Sequence, residues 1–170
     1  TYTGMLENTQ NLRTNAQEET TKFRRAYVTG SVAGVGVTAG RYNYTVGNGF
    51  VFDDHIDAVQ LDFGKVLTAS VAYGRPVDAD AFTATNQDGY IATLGYKMGV
   101  TDLAAGYYNF KNYSAEGDRE IWTVGATAEV AKNVSLVGEY LKSNDENLAG
   151  DDDGYVAGLS YKGASASDKG

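Results

Sequence analysis

Residues Glu120–Lys142 read EIWTVGATAEVAKNVSLVGEYLK, and the spacing of their apolar residues is the clearest indication of the fold. One set of alternate positions is apolar, namely Trp122, Val124, Ala126, Ala128 and Val130, and the set between them is small or polar, namely Thr123, Gly125, Thr127 and Glu129. Because successive side chains of a β-strand point to opposite faces, a period of two predicts a strand. We therefore expect strands at Glu120–Val130 and Val134–Lys142, joined by a tight turn at Ala131–Asn133.

The same alternation recurs along the chain and predicts an all-β protein with about ten strands. Besides the two above, the expected strands are Thr1–Asn8, Thr21–Val32, Val35–Thr45, Ile56–Phe63, Val66–Gly74, Gly89–Lys97, Asp102–Lys111 and Gly154–Lys162. Most of these segments have 8 to 12 residues, which is near the length of a tilted strand that crosses a bilayer. We treat residues 1–170 as one domain or as one section of a barrel.

Short and long connections alternate between these strands. The short ones are Ala33–Gly34, Gly64–Lys65, Met98–Thr101 and Ala131–Asn133, and the long ones are Thr9–Thr20, Val46–His55, Arg75–Asp88, Asn112–Arg119 and Ser143–Asp153. Short turns on one side and long loops on the other are typical of an antiparallel up-and-down transmembrane β-barrel. A soluble antiparallel sheet with one wet face explains the alternation equally well, but not this rhythm of turns.

Composition excludes several classes of function. The net charge is −8 with a pI near 4.5, so the chain lacks the basic surface that nucleic-acid binding needs. The sequence contains no cysteine and a single histidine, His55, so we expect no enzyme and no cofactor. The mean hydropathy is −0.35, and this low value is compatible with membrane strands, since only alternate residues face lipid.

Charged and polar residues are expected to line the inside of the barrel. If Val28 faces lipid, Arg25 and Tyr27 face the interior, and the same odd-number parity on the next strand brings Arg41 and Asn43 inward. The other residues assigned to the interior are Asp53 and Asp54 in the following loop, together with Glu7, Asp62, Lys97 and Glu139. The alternative is that these are ordinary interior residues, bonded across strands and far from any narrow point.

We expect no metal site. The acidic run Asp151, Asp152 and Asp153 is the candidate closest to one, since carboxylates bind hard cations such as Ca²⁺. It lacks the full spacing of an EF-hand loop, and acidic runs in loops are usually solvated.

Two segments resemble a known family. Lys22–Gly30 (KFRRAYVTG) resembles a porin strand with arginine at its pore end, and Ala39–Asp54 (AGRYNYTVGNGFVFDD) resembles the strand end and acidic loop of general diffusion porins. The closer likeness is to the outer-membrane porins that carry an S-layer-homology domain. This resemblance implies a bacterial outer-membrane location, a trimer, and passive diffusion of small hydrophilic solutes and ions.

The resemblance also implies a role for the charged residues. In porins a ladder of arginines faces acidic residues on an infolded loop, which would set Arg25 and Arg41 against Asp53 and Asp54. No S-layer-homology region is present in these 170 residues, and Gly163–Gly170 lacks the terminal aromatic strand of the family. Because general porins close with roughly 16 to 18 strands, we expect these ten to be a section of a larger barrel.

Two other functions stay open. The first is a structural outer-membrane anchor whose lumen is plugged, which would need bulky lumen residues. The second is a soluble lipocalin-like carrier or a barrel enzyme. A carrier would need an apolar interior and a charged exterior, whereas we expect Thr, Ser, Gly and Ala to dominate the interior.

Overall fold

The computed structural model describes residues 1–9, 20–77, 88–114, 117–144 and 152–161, with side chains for all of these except 7–9, 20–23 and 112–114. Ten strands account for most of them. They are β1 (Tyr2–Thr9), β2 (Thr20–Val32), β3 (Val35–Val46), β4 (Phe52–Gly64), β5 (Leu67–Pro76), β6 (Gly89–Met98), β7 (Thr101–Ser114), β8 (Gly117–Ala131), β9 (Val134–Ser143) and β10 (Asp153–Tyr161). Within the described ranges, no helix is long and apolar enough to cross a lipid bilayer.

The strands form one antiparallel up-and-down sheet in the order of the sequence, β1 to β10. This confirms the predicted fold class and all ten predicted strands. The sheet is not closed, since its described order ends with β1 at one edge and β10 at the other.

Two predicted loops are shorter than expected. The loop predicted at Val46–His55 spans only Gly47–Val51, because β4 begins at Phe52 and Thr45 pairs with Asp53. The Thr45 hydroxyl also donates a hydrogen bond of 2.7 Å to Asp53. The loop predicted at Asn112–Arg119 is similarly reduced, with Ser114 paired to Gly117. In both places the strand continues through polar residues, so the alternation of apolar and polar side chains did not mark its true end.

Burial alternates along the strands and separates the sheet into two faces. On β3, Tyr42, Tyr44 and Val46 are buried, whereas Asn43 and Thr45 are exposed. We call the face that carries Tyr42 and Tyr44 the inner face, and the opposite one the outer face. Directly paired residues on neighbouring strands point to the same side, so the register assigns every strand position to one face.

The buried apolar cluster lies entirely on the inner face. Its members are Tyr42, Tyr44, Val46, Phe52, Ile56, Ala58, Ala72, Ile91, Tyr108 and Phe110. The rings of Phe52 on β4 and Phe110 on β7 lie 6.2 Å apart although β5 and β6 separate their strands in the sheet. Strands that are not neighbours can meet in this way only if the sheet curves around the inner face. The inner face is therefore concave.

The outer face is exposed and largely apolar. Its exposed large apolar and aromatic residues include Val59, Val71, Tyr73, Tyr90, Leu94, Tyr96, Trp122, Val124, Leu136, Tyr155, Leu159 and Tyr161. Aromatic rings pair across adjacent strands near the long-connection end, with centroids 4.9 Å apart for Tyr73 and Tyr90 and 4.5 Å apart for Tyr107 and Trp122. An apolar band bordered by aromatic residues is the outward surface of a transmembrane barrel.

Candidate functional site

The connection between β3 and β4 folds across the concave inner face. Gly47–Gly49 form one 3₁₀ turn in which Asn48 adopts a left-handed conformation, with φ 47° and ψ 27°. The side-chain amide of Asn48 donates a hydrogen bond of 2.6 Å to a carboxylate oxygen of Glu139 on β9. Since four strands separate β4 from β9 in the sheet, this contact crosses the concavity.

Gly47 permits this close approach. Its φ of +58° lies in the left-handed region, which residues with a Cβ rarely adopt. A Cβ at this position would also collide with the side chain of Val51 and lie 3.2 Å from the Glu139 carboxylate. The Tyr108 hydroxyl also bonds to the backbone of Gly47. Backbone conformation and packing together therefore require glycine at residue 47.

A polar cavity of about 250 Å³ lies beneath this connection, and we call it the inner pocket. Its lining draws on several strands and on the β3–β4 connection, and its polar members include Asn48, Gln60, Asp62, Ser70, Thr93, Thr123 and Glu139. Glu139 is only 6% exposed, and Asp62 accepts a hydrogen bond of 2.7 Å from the Gln60 amide. The pocket therefore combines two carboxylates with neutral hydroxyl and amide groups, an arrangement that attracts cations and hydrogen-bonds hydrophilic solutes.

The register divides the predicted interior residues between the two faces. Arg25, Tyr27, Asp54, Asp62, Lys97 and Glu139 lie on the inner face. The side chain of Glu7 lies outside the described part. Only Asp62 and Glu139 of the predicted set line the inner pocket. Lys97 lies instead at the turn end of β6, where its amine is 3.3 Å from Asp102.

Arg41, Asn43 and Asp53 lie on the outer face, so their predicted inward orientation is wrong. A two-residue turn joins β2 to β3, and Val32 pairs directly with Val35. The residue numbers of two paired positions therefore differ by an odd number. As a result, odd-numbered residues of β2 lie on the same face as even-numbered residues of β3. Expecting the same parity on both strands was the error.

Arg41 forms a two-bonded ion pair with Asp57 on the neighbouring strand. Its Nε and one terminal nitrogen each donate a hydrogen bond of 2.7 Å to the Asp57 carboxylate. The predicted ladder of Arg25 and Arg41 opposite Asp53 is therefore not assembled on one face. Arg25 and Tyr27 remain inside, where the Tyr27 ring lies 6.0 Å from that of Tyr42.

The predicted interior composition also needs correction. Thr, Ser, Gly and Ala were expected to dominate the interior, but the inner face also carries a buried group of tyrosine, isoleucine and phenylalanine side chains near the long-connection end, such as Tyr44, Ile56 and Phe110. The polar pocket residues Asn48, Gln60, Ser70, Thr93 and Thr123 were not among the residues predicted to line the interior. The Gly47–Gly49 motif does signal a tight left-handed turn, but nothing in the sequence indicates a partner 91 residues away.

The acidic run at residues 151–153 is described only in part, since Asp151 lies outside the described residues. Asp152 is 4.0 Å from the Lys142 amine, and Asp153 pairs with Lys142 in the β9–β10 register. Among the described residues, no group of three or more His, Cys, Asp or Glu is placed to hold a metal ion.

Comparison with known proteins agrees with this geometry. The family model described as Gram-negative porin matches residues 3–148. No match to the chain was found among the curated proteins. The family match covers all strands from β2 to β9, including the β3–β4 connection and Glu139. The chain therefore belongs to the Gram-negative porin family.

Proposed function

We propose that this chain forms part of the wall of a water-filled channel in the bacterial outer membrane, through which small hydrophilic solutes and ions diffuse passively. The observation that carries the proposal is the division of one curved sheet into an exposed apolar outer face and a concave inner face with a polar pocket. Contact with lipid requires an apolar outer face, and a water-filled lumen requires a polar inner face. The role is transport and not catalysis.

The inner pocket gives the proposed channel a preference for cations. Asp62 and Glu139 are the charged residues of its described lining. Each accepts a hydrogen bond from a neutral amide, Gln60 and Asn48 respectively, and neither of these contacts is an ion pair. Fixed charges close to a permeating ion select by electrostatics.

The ten strands are proposed to belong to a larger barrel. In lipid, backbone groups need internal hydrogen bonds, so membrane sheets close on themselves. The described sheet has two unclosed edges, β1 and β10. A trimeric assembly, which the resemblance of residues 22–30 and 39–54 to porin segments implies, would be tested by analytical ultracentrifugation in detergent.

Planar-bilayer conductance tests the proposed channel. The full chain, refolded in detergent, is added to a bilayer that separates two KCl concentrations. Stable steps with a reversal potential that favours K⁺ over Cl⁻ are expected. Absence of steps from a protein that has inserted as β-sheet, alone and within any longer parent chain, would overturn the channel.

A plugged structural anchor is the second candidate function. The buried side chains on the inner face and the connection folded over them favour it, because they occupy part of the concavity. The two functions differ in one measurement. An anchor inserts and stays silent in the bilayer, whereas a channel conducts.

A further inference from the structure

A row of mostly polar residues crosses five strands along the inner pocket. Asp62 on β4 pairs with Ser70 on β5, and Ser70 pairs with Thr93 on β6. Thr93 pairs in turn with Gly106 on β7, and Gly106 pairs with Thr123 on β8. Directly paired residues point to the same face, and neighbouring strands lie about 4.8 Å apart. The polar members of this row all line the pocket, so they present a series of hydrogen-bonding groups to it.

A tyrosine hydroxyl completes this row where it lacks a side chain. A Cβ at Gly106 would collide with the Tyr108 hydroxyl, which therefore occupies the space of the missing side chain. The same hydroxyl lies 3.4 Å from that of Thr123. The Ser70 hydroxyl oxygen is buried and makes no hydrogen bond of good geometry to the described residues, although the Tyr44 hydroxyl lies nearby. Ser70 therefore retains hydrogen-bonding capacity for a ligand.

Glu139 places a buried negative charge beside the Thr123 end of this row. It pairs with Gly125, which lies two residues from Thr123 on the same face of β8. Glu139 is 6% exposed, and its described hydrogen bond comes from the neutral amide of Asn48. The ion pairs among the described residues include neither Glu139 nor Asp62. A buried carboxylate without a cationic partner is costly, so the binding of a cation is favourable at this point.

The size of the inner pocket indicates an organic cation. Its volume of about 250 Å³ is roughly eight times that of one water molecule in the liquid. A bare metal ion would leave most of this space empty, and among the described residues no three His, Cys, Asp or Glu are grouped to hold one. A small organic solute fills the space and bonds to the hydroxyl groups at the same time.

We propose that the inner pocket binds small hydroxylated primary amines, such as amino sugars, on their way through the channel. The protonated amine donates hydrogen bonds to the Glu139 carboxylate and to the hydroxyl oxygens of Thr123 and Tyr108. The hydroxyl groups of the solute bond to Ser70 and Asp62. This inference rests on the proposed channel, because the inner face must border a water-filled lumen for such a solute to reach it.

The fit requires both a positive charge and N–H groups. A neutral sugar has the hydroxyl groups but leaves the charge of Glu139 unbalanced. A quaternary ammonium carries the charge but has no N–H group to donate. Charge-assisted hydrogen bonds are about twice as strong as neutral ones, so a primary amine should bind best.

Isothermal titration calorimetry tests the inference without requiring conduction. The full chain, refolded in detergent, is titrated separately with glucosamine, glucose and N,N,N-trimethylglucosamine, at a pH below the pKa of the glucosamine amine. Glucosamine is expected to bind about tenfold more tightly than either of the other two, the effect of one charge-assisted hydrogen bond.

Two variants of similar shape locate the site. Glu139→Gln keeps an acceptor oxygen for Asn48 and removes the charge, and it should abolish the preference for glucosamine over glucose. Thr123→Val removes one hydroxyl and should weaken glucosamine binding about fivefold. Glu129→Gln is the matched control and should retain the preference, since Glu129 lies on the same face but is exposed near the β8–β9 turn. Far-UV circular dichroism checks that each variant keeps its β-sheet content.

Three outcomes contradict the inference. Equal affinity for glucosamine and glucose in the unmodified chain excludes selection by the carboxylates. Equal affinity for glucosamine and its trimethylated form shows that charge alone attracts the amine, without the proposed hydrogen bonds. A preference that persists unchanged in both Glu139→Gln and Thr123→Val places the amine outside the inner pocket.

Conductance of the same preparation separates this inference from the proposed channel. A chain that conducts ions but has no preference for glucosamine contradicts the amine site alone. A chain that prefers glucosamine but never conducts retains the site and contradicts the channel.

Discussion

At the scale of single residues, Glu139 is the side chain on which the inner pocket depends. It is 6% exposed, lies on the inner face of β9, and accepts the hydrogen bond that holds Asn48 across the concavity. Its charge and its hydrogen bond are separable, because glutamine keeps the shape and one acceptor oxygen while losing the charge. This makes the electrostatic role testable without removing the contact.

Glu139→Gln is expected to conduct with a reduced cation preference. A unit charge attracts a cation 4 Å away by about 1 kcal/mol in water, which corresponds to roughly fivefold in the permeability ratio. The measurement is the reversal potential in a KCl gradient. Glu129→Gln is the matched control, since Glu129 lies on the same face but is exposed near the β8–β9 turn.

Arg41→Ser provides a second control for the same measurement. Because Arg41 lies on the outer face and pairs with Asp57, its loss should leave the reversal potential unchanged. If Arg41→Ser shifts the reversal potential as much as Glu139→Gln does, Arg41 lines the channel and the assignment of faces is contradicted. An unchanged potential in Glu139→Gln would remove Glu139 from the ion path.

Gly47→Ala should destabilise the protein by about 1–3 kcal/mol, the cost of forcing a residue with a Cβ into a strained conformation. The added methyl also meets Val51 and the Glu139 carboxylate. Denaturant unfolding from vesicles measures the change. Gly138→Ala, where an added Cβ meets nothing within 4 Å, should change the free energy of unfolding by less than about 0.5 kcal/mol. Equal losses in the two variants would contradict the packing around Gly47.

At the scale of elements, each strand carries two environments that differ in what they tolerate. On β8 the neighbours Ala126 and Thr127 lie on opposite faces, Ala126 beside Gly138 on the outer face and Thr127 beside Asp102 on the inner face. Lipid penalises a charge on the outer face, whereas the inner face already carries carboxylates. The two residues are adjacent in sequence, but their side chains lie on opposite faces of the sheet.

Ala126→Arg is expected to destabilise the membrane-inserted protein by about 2–4 kcal/mol, the cost of arginine near the middle of a bilayer. Thr127→Arg should cost much less, because its charge lies toward the lumen and near Asp102. Unfolding by denaturant in vesicles compares the two. Similar costs would show that the outer face of β8 does not contact lipid.

At the scale of the whole molecule, the described sheet has two open edges. The described order of strands ends at β1 and β10, each paired with one neighbour. Unpaired backbone groups are costly in lipid, so edges that lie in a membrane would have to pair with further strands or with each other. Edge strands without such cover also pair readily with other copies.

The refolded chain alone is therefore expected to associate through its edges in detergent. Light scattering should give a mass above that of one 18.1 kDa chain. Hydrogen exchange provides the complementary measurement, with backbone amides of β6, in the middle of the sheet, protected more strongly than those at the free edges. A monomer with equal protection of β1, β6 and β10 would show that ten strands close into a barrel on their own.

Local alternation was enough to predict the strands, because the two-residue period reports the environment of each side chain directly. The stretch Glu120–Lys142 predicted β8 and β9 and their turn to within three residues. The antiparallel order followed from the short turns, which can join only neighbouring antiparallel strands. Acidic candidates such as Asp62 and Glu139 were predicted on the inner face for the same reason.

Which faces of different strands combine, and which residues meet across the concavity, cannot be read from any single strand. The face that Arg41 occupies follows from the direct pairing of Val32 with Val35 across the two-residue turn, a cross-strand relation that alternation within β3 alone does not give. The contact of Asn48 with Glu139 depends on the curvature of the intervening strands. Sequence periodicity is a local property, whereas register and curvature are properties of the paired sheet, and the inner pocket is built from both.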